Sequence, residues 1–212
     1  MHSYGPIRTV GSMPFSTNPA YDRLLTADRD YHAVFLVIGG PFTLFLLLFS
    51  VFAWVRFKRA RRRTFERRTY LWFAVVSLTF GLVMALGFWA NLTSVLNPRQ
   101  TLAGTTFSPL GETWLRSGSA QISPLLQQAI DDRLAWQRPK AVICGVLLVA
   151  FVTLTVFLWR ILIRRSTTGE PFRKLMLCAA ILSAALCLLL MLMVIGNAEG
   201  AFAPLFPTVI HG

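Results

Sequence analysis

Four stretches of the chain read as uninterrupted apolar runs: Ala33–Val55, Tyr70–Ala90, Ala141–Trp159 and Leu175–Gly196. None contains Asp, Glu, Lys or Arg. About 20 apolar residues in helix cross the roughly 30 Å hydrocarbon layer of a bilayer. Inside lipid the backbone has no water to bond, so each run is predicted to be helical. The fold class expected is an all-α membrane protein, a four-transmembrane-helix bundle.

The segments between and beyond the runs differ in character. Residues 1–32 precede the first run, and within them Asn18-Pro19 has the form of a helix start, a capping Asn followed by proline at the first turn. Residues 56–69 and 160–174 are short and basic. Residues 91–140 form a long loop whose first part, with Gly104, Pro109, Gly111 and Gly118, reads as irregular. Its second part reads as an amphipathic helix over about 123–137. Ser123-Pro124 starts it, Ile122, Leu126, Ile130 and Leu134 recur every four residues, and Pro139 is expected to end it. Residues 197–212 are apolar but interrupted by Pro204 and Pro207, too short to span.

Composition agrees with lipid as solvent: of 212 residues, 55% are hydrophobic and 14% charged, against about 25% charged in soluble domains. The net charge of +12 changes the picture more. Thirteen basic residues lie in the two short loops, Arg56, Lys58, Arg59, Arg61, Arg62, Arg63, Arg67 and Arg68 in the first and Arg160, Arg164, Arg165, Arg173 and Lys174 in the second. Only Glu66 and Glu170 oppose them, and the remaining segments are close to neutral. Under the positive-inside rule these loops are cytoplasmic, which puts both termini and the long loop outside. Trp54, Trp72 and Trp159 then fall at the inner interface and Trp89 near the outer one, as an aromatic belt requires. Arg61, Arg62, Arg63, Arg164 and Arg165 are candidates for holding anionic lipid headgroups. No basic face with groove-reading residues accompanies the charge, so nucleic acid is not an expected partner. Eighteen of the 21 basic residues are arginine, a bias that points to a GC-rich bacterium and its plasma membrane.

Candidate chemistry is sparse. Cys144, Cys178 and Cys187 stand inside apolar runs without a C-x-x-C neighbour, and no cofactor or metal is expected. Gly39, Gly40 and Pro41 predict a kink in the first span. Small residues Gly81 and Ala85 in the second span, and Ala179 and Ser183 in the fourth, mark helix-packing faces. Asp30 and His32 lie two apart and point different ways on a helix. No nucleophile elbow, phosphate loop or zinc signature is present, so no enzyme is expected.

The leading functional expectation is a non-catalytic integral membrane subunit or accessory protein of a larger membrane complex. Its partner contacts are assigned to Ile122, Leu126, Ile130, Leu134, Trp114 and Trp136. A self-associating channel or small-solute transporter, dependent on Gly39, Gly40 and Asn91, is the alternative. An outward-facing enzyme on lipid-linked substrates, using Asp30, His32 or Glu112, is the second.

Overall fold

The computed structural model describes residues 18–61, 64–164 and 172–212. Among them the regular structure is entirely helical, in the order α1 (Pro19–Arg59), α2 (Phe65–Leu96), α3 (Pro98–Leu102), α4 (Pro109–Ser117), α5 (Pro124–Arg164), α6 (Phe172–Phe202) and α7 (Leu205–His211). Four of these, α1, α2, α5 and α6, are long and apolar enough to cross a membrane. The chain is thus a multi-pass membrane protein, as the four apolar runs predict.

Each spanning helix is longer than the run it contains. α1 begins at Pro19, with the Asn18 side chain accepting a 2.8 Å bond from the Ala20 amide, and continues without interruption through Pro41. The helix expected to end near Gln137 does not end there: α5 carries Pro139 in its interior and runs on to Arg164. Proline removes one backbone donor and crowds the carbonyl four residues earlier. Ending the helix at Pro139 would strand several backbone groups at the edge of a segment that lipid forces to be helical, so passing through costs less.

Two compact units divide the chain. The loop unit comprises the described part of Met1–Val34 with Ala90–Arg138 and Ala198–Gly212. Its core holds Ala20 and Leu24 of α1, Leu102 of α3, Trp114 and Leu115 of α4, Leu126 and Ile130 of α5 and Val209 of α7. Fully burying a side chain of this size contributes about 1.5–3 kcal/mol. The part of the long loop expected to be irregular forms α3 and α4. Ser108 caps α4 by accepting from the Gly111 amide at 3.1 Å, and Gly118 closes it at φ 73°, a left-handed conformation that suits glycine. α4 and α7 are joined closely: the Ser108 amide donates to the Val209 carbonyl at 3.0 Å, and so does its hydroxyl at the same distance. A Cβ on Gly111 would collide with that carbonyl oxygen.

The span unit comprises Phe35–Trp89 and Pro139–Asn197. Leu46 of α1, Met84 of α2 and Met191 and Ile195 of α6 form its main buried cluster, with Leu148 of α5 packed against it. Polar bonds cross between helices. Ser50 donates to the Ala74 carbonyl at 2.9 Å, and the hydroxyls of Thr155 and Ser183 lie 2.5 Å apart. Of the predicted packing residues, Gly81 is buried, and a Cβ there would come within 2.8 Å of Leu47. Ser183 is buried as well. Ala85 is half-buried, whereas Ala179 is exposed. Ala180, beside Ala179 on α6, is buried with Ser183.

Two expectations follow. Gly111→Ala should destabilise the loop unit by about 1–3 kcal/mol, because the obstacle is backbone and cannot rotate away. Thermal unfolding in detergent would register the change. Replacing Thr155 by Val together with Ser183 by Ala should cost about 1 kcal/mol, the usual worth of a hydrogen bond between helices in lipid, measurable by unfolding in mixed micelles.

Candidate functional site

α1 enters the loop unit with a regular spacing of ionisable groups on one face. Asp28 and His32 are four apart and therefore one above the other. Asp28 is completely buried, and its Oδ1 lies 3.3 Å from His32 Nε2. The other ring nitrogen, Nδ1, is 2.7 Å from Asn91 Oδ1 near the end of α2. Both nitrogens of the imidazole thus face a protein oxygen. Neither Asp28 oxygen receives a hydrogen bond from any described group; the 3.3 Å approach of His32 Nε2 falls short of one in geometry and becomes an ion pair when the ring is protonated.

Beside this triad stands a second pair. Tyr31 of α1 is hydrogen-bonded to Glu199 near the end of α6. The rings of Tyr31, His32 and Phe206 of α7 pack on one another, with centroids 5.4 Å apart for Tyr31–His32, 5.1 Å for Tyr31–Phe206 and 5.9 Å for His32–Phe206. From α5, Arg133 supplies positive charge toward Tyr31. Gln137 presses its side chain to 3.0 Å of where a Cβ on Gly200 would stand, and its Oε1 is buried without a donor.

These groups lie outside the four apolar runs, and their environment moves their protonation. Burial, then the charge of Glu199 and the bond to it, push the Tyr31 phenol up to about 12 against the opposing pull of Arg133. Burial works to lower the His32 pKa. The close Asp28 carboxyl oxygen, the bond to Asn91 and the negative charges of Asp28 and Glu199 overcome it, and the net shift is upward. Burial raises Glu199, opposed by the Tyr31 bond and by the His32 charge. All three groups are moved toward keeping their proton.

The geometry sorts the residues singled out from sequence. Asp30 is exposed and stands apart from the triad. Glu112 pairs with Arg116 one turn on along α4, an exposed surface bridge. His32 and Asn91 are brought together. The partner-contact stripe is a correction: Leu126, Ile130 and Trp114 are buried in the loop-unit core, with Ile122 and Leu134 packed against it. An amphipathic helix buries its apolar stripe in the nearest apolar surface, and α1, α4 and α7 of the same chain provide one. Trp136 alone of the six is exposed. Gly39 is buried under Phe35 of its own helix, and Gly40 stands where a Cβ would lie 3.2 Å from Phe88 of α2. They serve close packing in a helix that continues past Pro41. Arg61 and Arg164 are exposed; Arg62, Arg63 and Arg165 lie outside the described residues.

Sequence reasoning placed Asp28 above the first span without pairing it with His32, and missed Tyr31 and Glu199. The i, i+4 spacing of Asp28 and His32 was the available signal; Glu199 had none, since its meeting with Tyr31 depends on tertiary structure.

Tyr31→Phe removes the bond that lowers Glu199, so the Glu199 pKa should rise further. The carboxyl band in infrared spectra taken across a pH series would show it. Comparison of the chain with protein-family models, curated proteins and solved structures gives no match.

Proposed function

We propose that the chain is a non-catalytic integral membrane subunit, or accessory protein, of a larger membrane complex. It is inserted in a bacterial plasma membrane with both termini and the long loop outside. The orientation rests on the thirteen basic residues of the two short loops. At the basic ends of the helices, cations lie over aromatic rings: Arg56 over Tyr70, Lys58 over Trp54 and Arg67 over Phe57. That arrangement suits an interfacial belt facing anionic headgroups, with Arg61, Arg62, Arg63, Arg164 and Arg165 adding about 1 kcal/mol each near the surface.

The observation that carries the reading is the apolar part of α5. Between residues 141 and 159 its only buried residue is Cys144. One open face runs through Val142, Gly145, Val146 and Val149, and a Cβ on Gly145 would meet nothing among the described residues. Glycine in a helix costs about 1 kcal/mol relative to alanine. In a span it is useful where another helix comes close, and among the described residues no helix does so at Gly145. A helix of a partner protein is the occupant that fits.

Purification in mild detergent should bring down a different membrane protein in fixed stoichiometry, identified by mass spectrometry. Gly145→Ile should abolish that association while leaving thermal stability within about 1 kcal/mol of the parent, since the added side chain enters open space. A lone monomer, or an assembly containing only copies of this chain, would overturn the proposal.

A further inference from the structure

The Asp28, His32 and Asn91 cluster has no part in the docking function above. A carboxylate with no exposure and no hydrogen-bond donor is expensive; the penalty is several kcal/mol unless a charge or donor compensates it. The donor in reach is His32 Nε2, 3.3 Å away. Asn91 Oδ1 stands at 2.7 Å from the opposite nitrogen. An imidazole flanked by oxygens on both sides is satisfied when both nitrogens carry hydrogen, which is the protonated form.

The charged surroundings point the same way. On α1 the groups facing His32 are Asp28 and Tyr31, on α2 the neutral Asn91, on α6 Glu199 and on α7 the apolar Phe206. Arg133 of α5 acts on Tyr31. Two carboxylates thus bear on the imidazole. Among the described residues no group of three His, Cys, Asp or Glu is placed to hold a metal ion, and the packed Tyr31, His32 and Phe206 rings occupy the adjoining space.

We propose that Asp28, His32 and Asn91 form a proton-binding site that latches the start of α1 to the end of α2. A proton from solvent binds the free lone pair of His32. The imidazolium then donates from Nδ1 to Asn91 Oδ1 and from Nε2 to Asp28, and no covalent bond breaks. When the proton leaves, one N–H remains for two acceptors. If it stays on Nδ1, Asp28 is a buried carboxylate facing a lone pair. If it stays on Nε2, the Asn91 amide must turn over to offer its NH2 and gives up its present orientation. Either outcome weakens the latch.

The direction of the pH effect follows from linkage. The folded-state pKa of His32 lies above its unfolded value of about 6.5. Its contribution is complete below that value and is lost as pH rises through the folded one. Glu199, also raised, has the same sign: its contribution is present below about 4.5 and is lost as pH rises through its folded pKa. Mild acid therefore tightens the loop unit and alkaline conditions loosen it.

Nitrogen NMR of the imidazoles in the full chain, held in lipid nanodiscs, tests the proposal. His32 should titrate above 6.5, and Asp28→Asn should lower its proton affinity at least tenfold. Glu199→Gln should lower it by less, and serves as the readout if the Asp28 variant does not fold. The melting temperature of the parent should fall between pH 6 and pH 9, and His32→Gln should flatten that slope. A His32 that titrates at or below 6.5, or a value indifferent to both carboxylate substitutions, would overturn the proposal.

Discussion

Hydrocarbon offers a peptide group no hydrogen-bond partner, and nearly every feature of this protein is an accommodation to that fact. It makes four long helices obligatory. It explains why Pro41 and Pro139 sit inside α1 and α5 without ending them, since one lost backbone bond is cheaper than the several exposed by a break. It also explains the hydroxyl chemistry of the span unit. Thr43 returns its hydroxyl to the Gly39 carbonyl at 2.8 Å, and Ser50 reaches the Ala74 carbonyl on α2. Thr155, Ser183 and Cys187 form a small cluster across α5 and α6. These hydroxyls are satisfied by carbonyls of their own helix or by groups on a neighbouring one.

The loop unit is built around a buried apolar core of its own, with Trp114, Leu115 and Leu126 at its centre. Its connections are fixed at helix ends. Asn18 illustrates this twice over: its side-chain oxygen caps α1, and its side-chain nitrogen donates to the Leu115 carbonyl at 2.7 Å, holding the end of α4. Arg23 likewise donates to the Ala120 carbonyl at 2.6 Å. Such polar ties surround a cluster in which burial raises Tyr31 and Glu199, while at His32 the neighbouring oxygens and negative charges overcome burial.

The four spans were plain in the sequence because twenty apolar residues in a row have one physical interpretation. The helix starts at Asn18-Pro19 and Ser123-Pro124 were equally readable. The same polar-residue-then-proline pattern stands at Asn97-Pro98 and Ser108-Pro109, where α3 and α4 begin, and there the nearby glycines obscured it. The stripe of Ile122, Leu126, Ile130 and Leu134 was correctly seen as amphipathic, yet periodicity states only that a face is buried, never against what. The acid–base cluster was the least legible. Asp30 drew attention away from Asp28, although only the latter shares a helix face with His32, and the approach of Glu199 from the far end of the chain leaves no trace in local pattern.

The position of α7 in this arrangement bears on how the protein is made. Val209 is wholly buried in a core that also contains Ala20 and Leu24, and its carbonyl receives both the amide and the hydroxyl of Ser108, 101 positions earlier. A ribosome releases Ala20 and Leu24 at the beginning of synthesis and Val209 at its close, with all four apolar segments emerging between them, two of them after Ser108. The loop unit must therefore wait, unfinished, while the translocation machinery handles every span, and its closure is a late, non-local event of the kind that is slow and leaves apolar surface uncovered meanwhile.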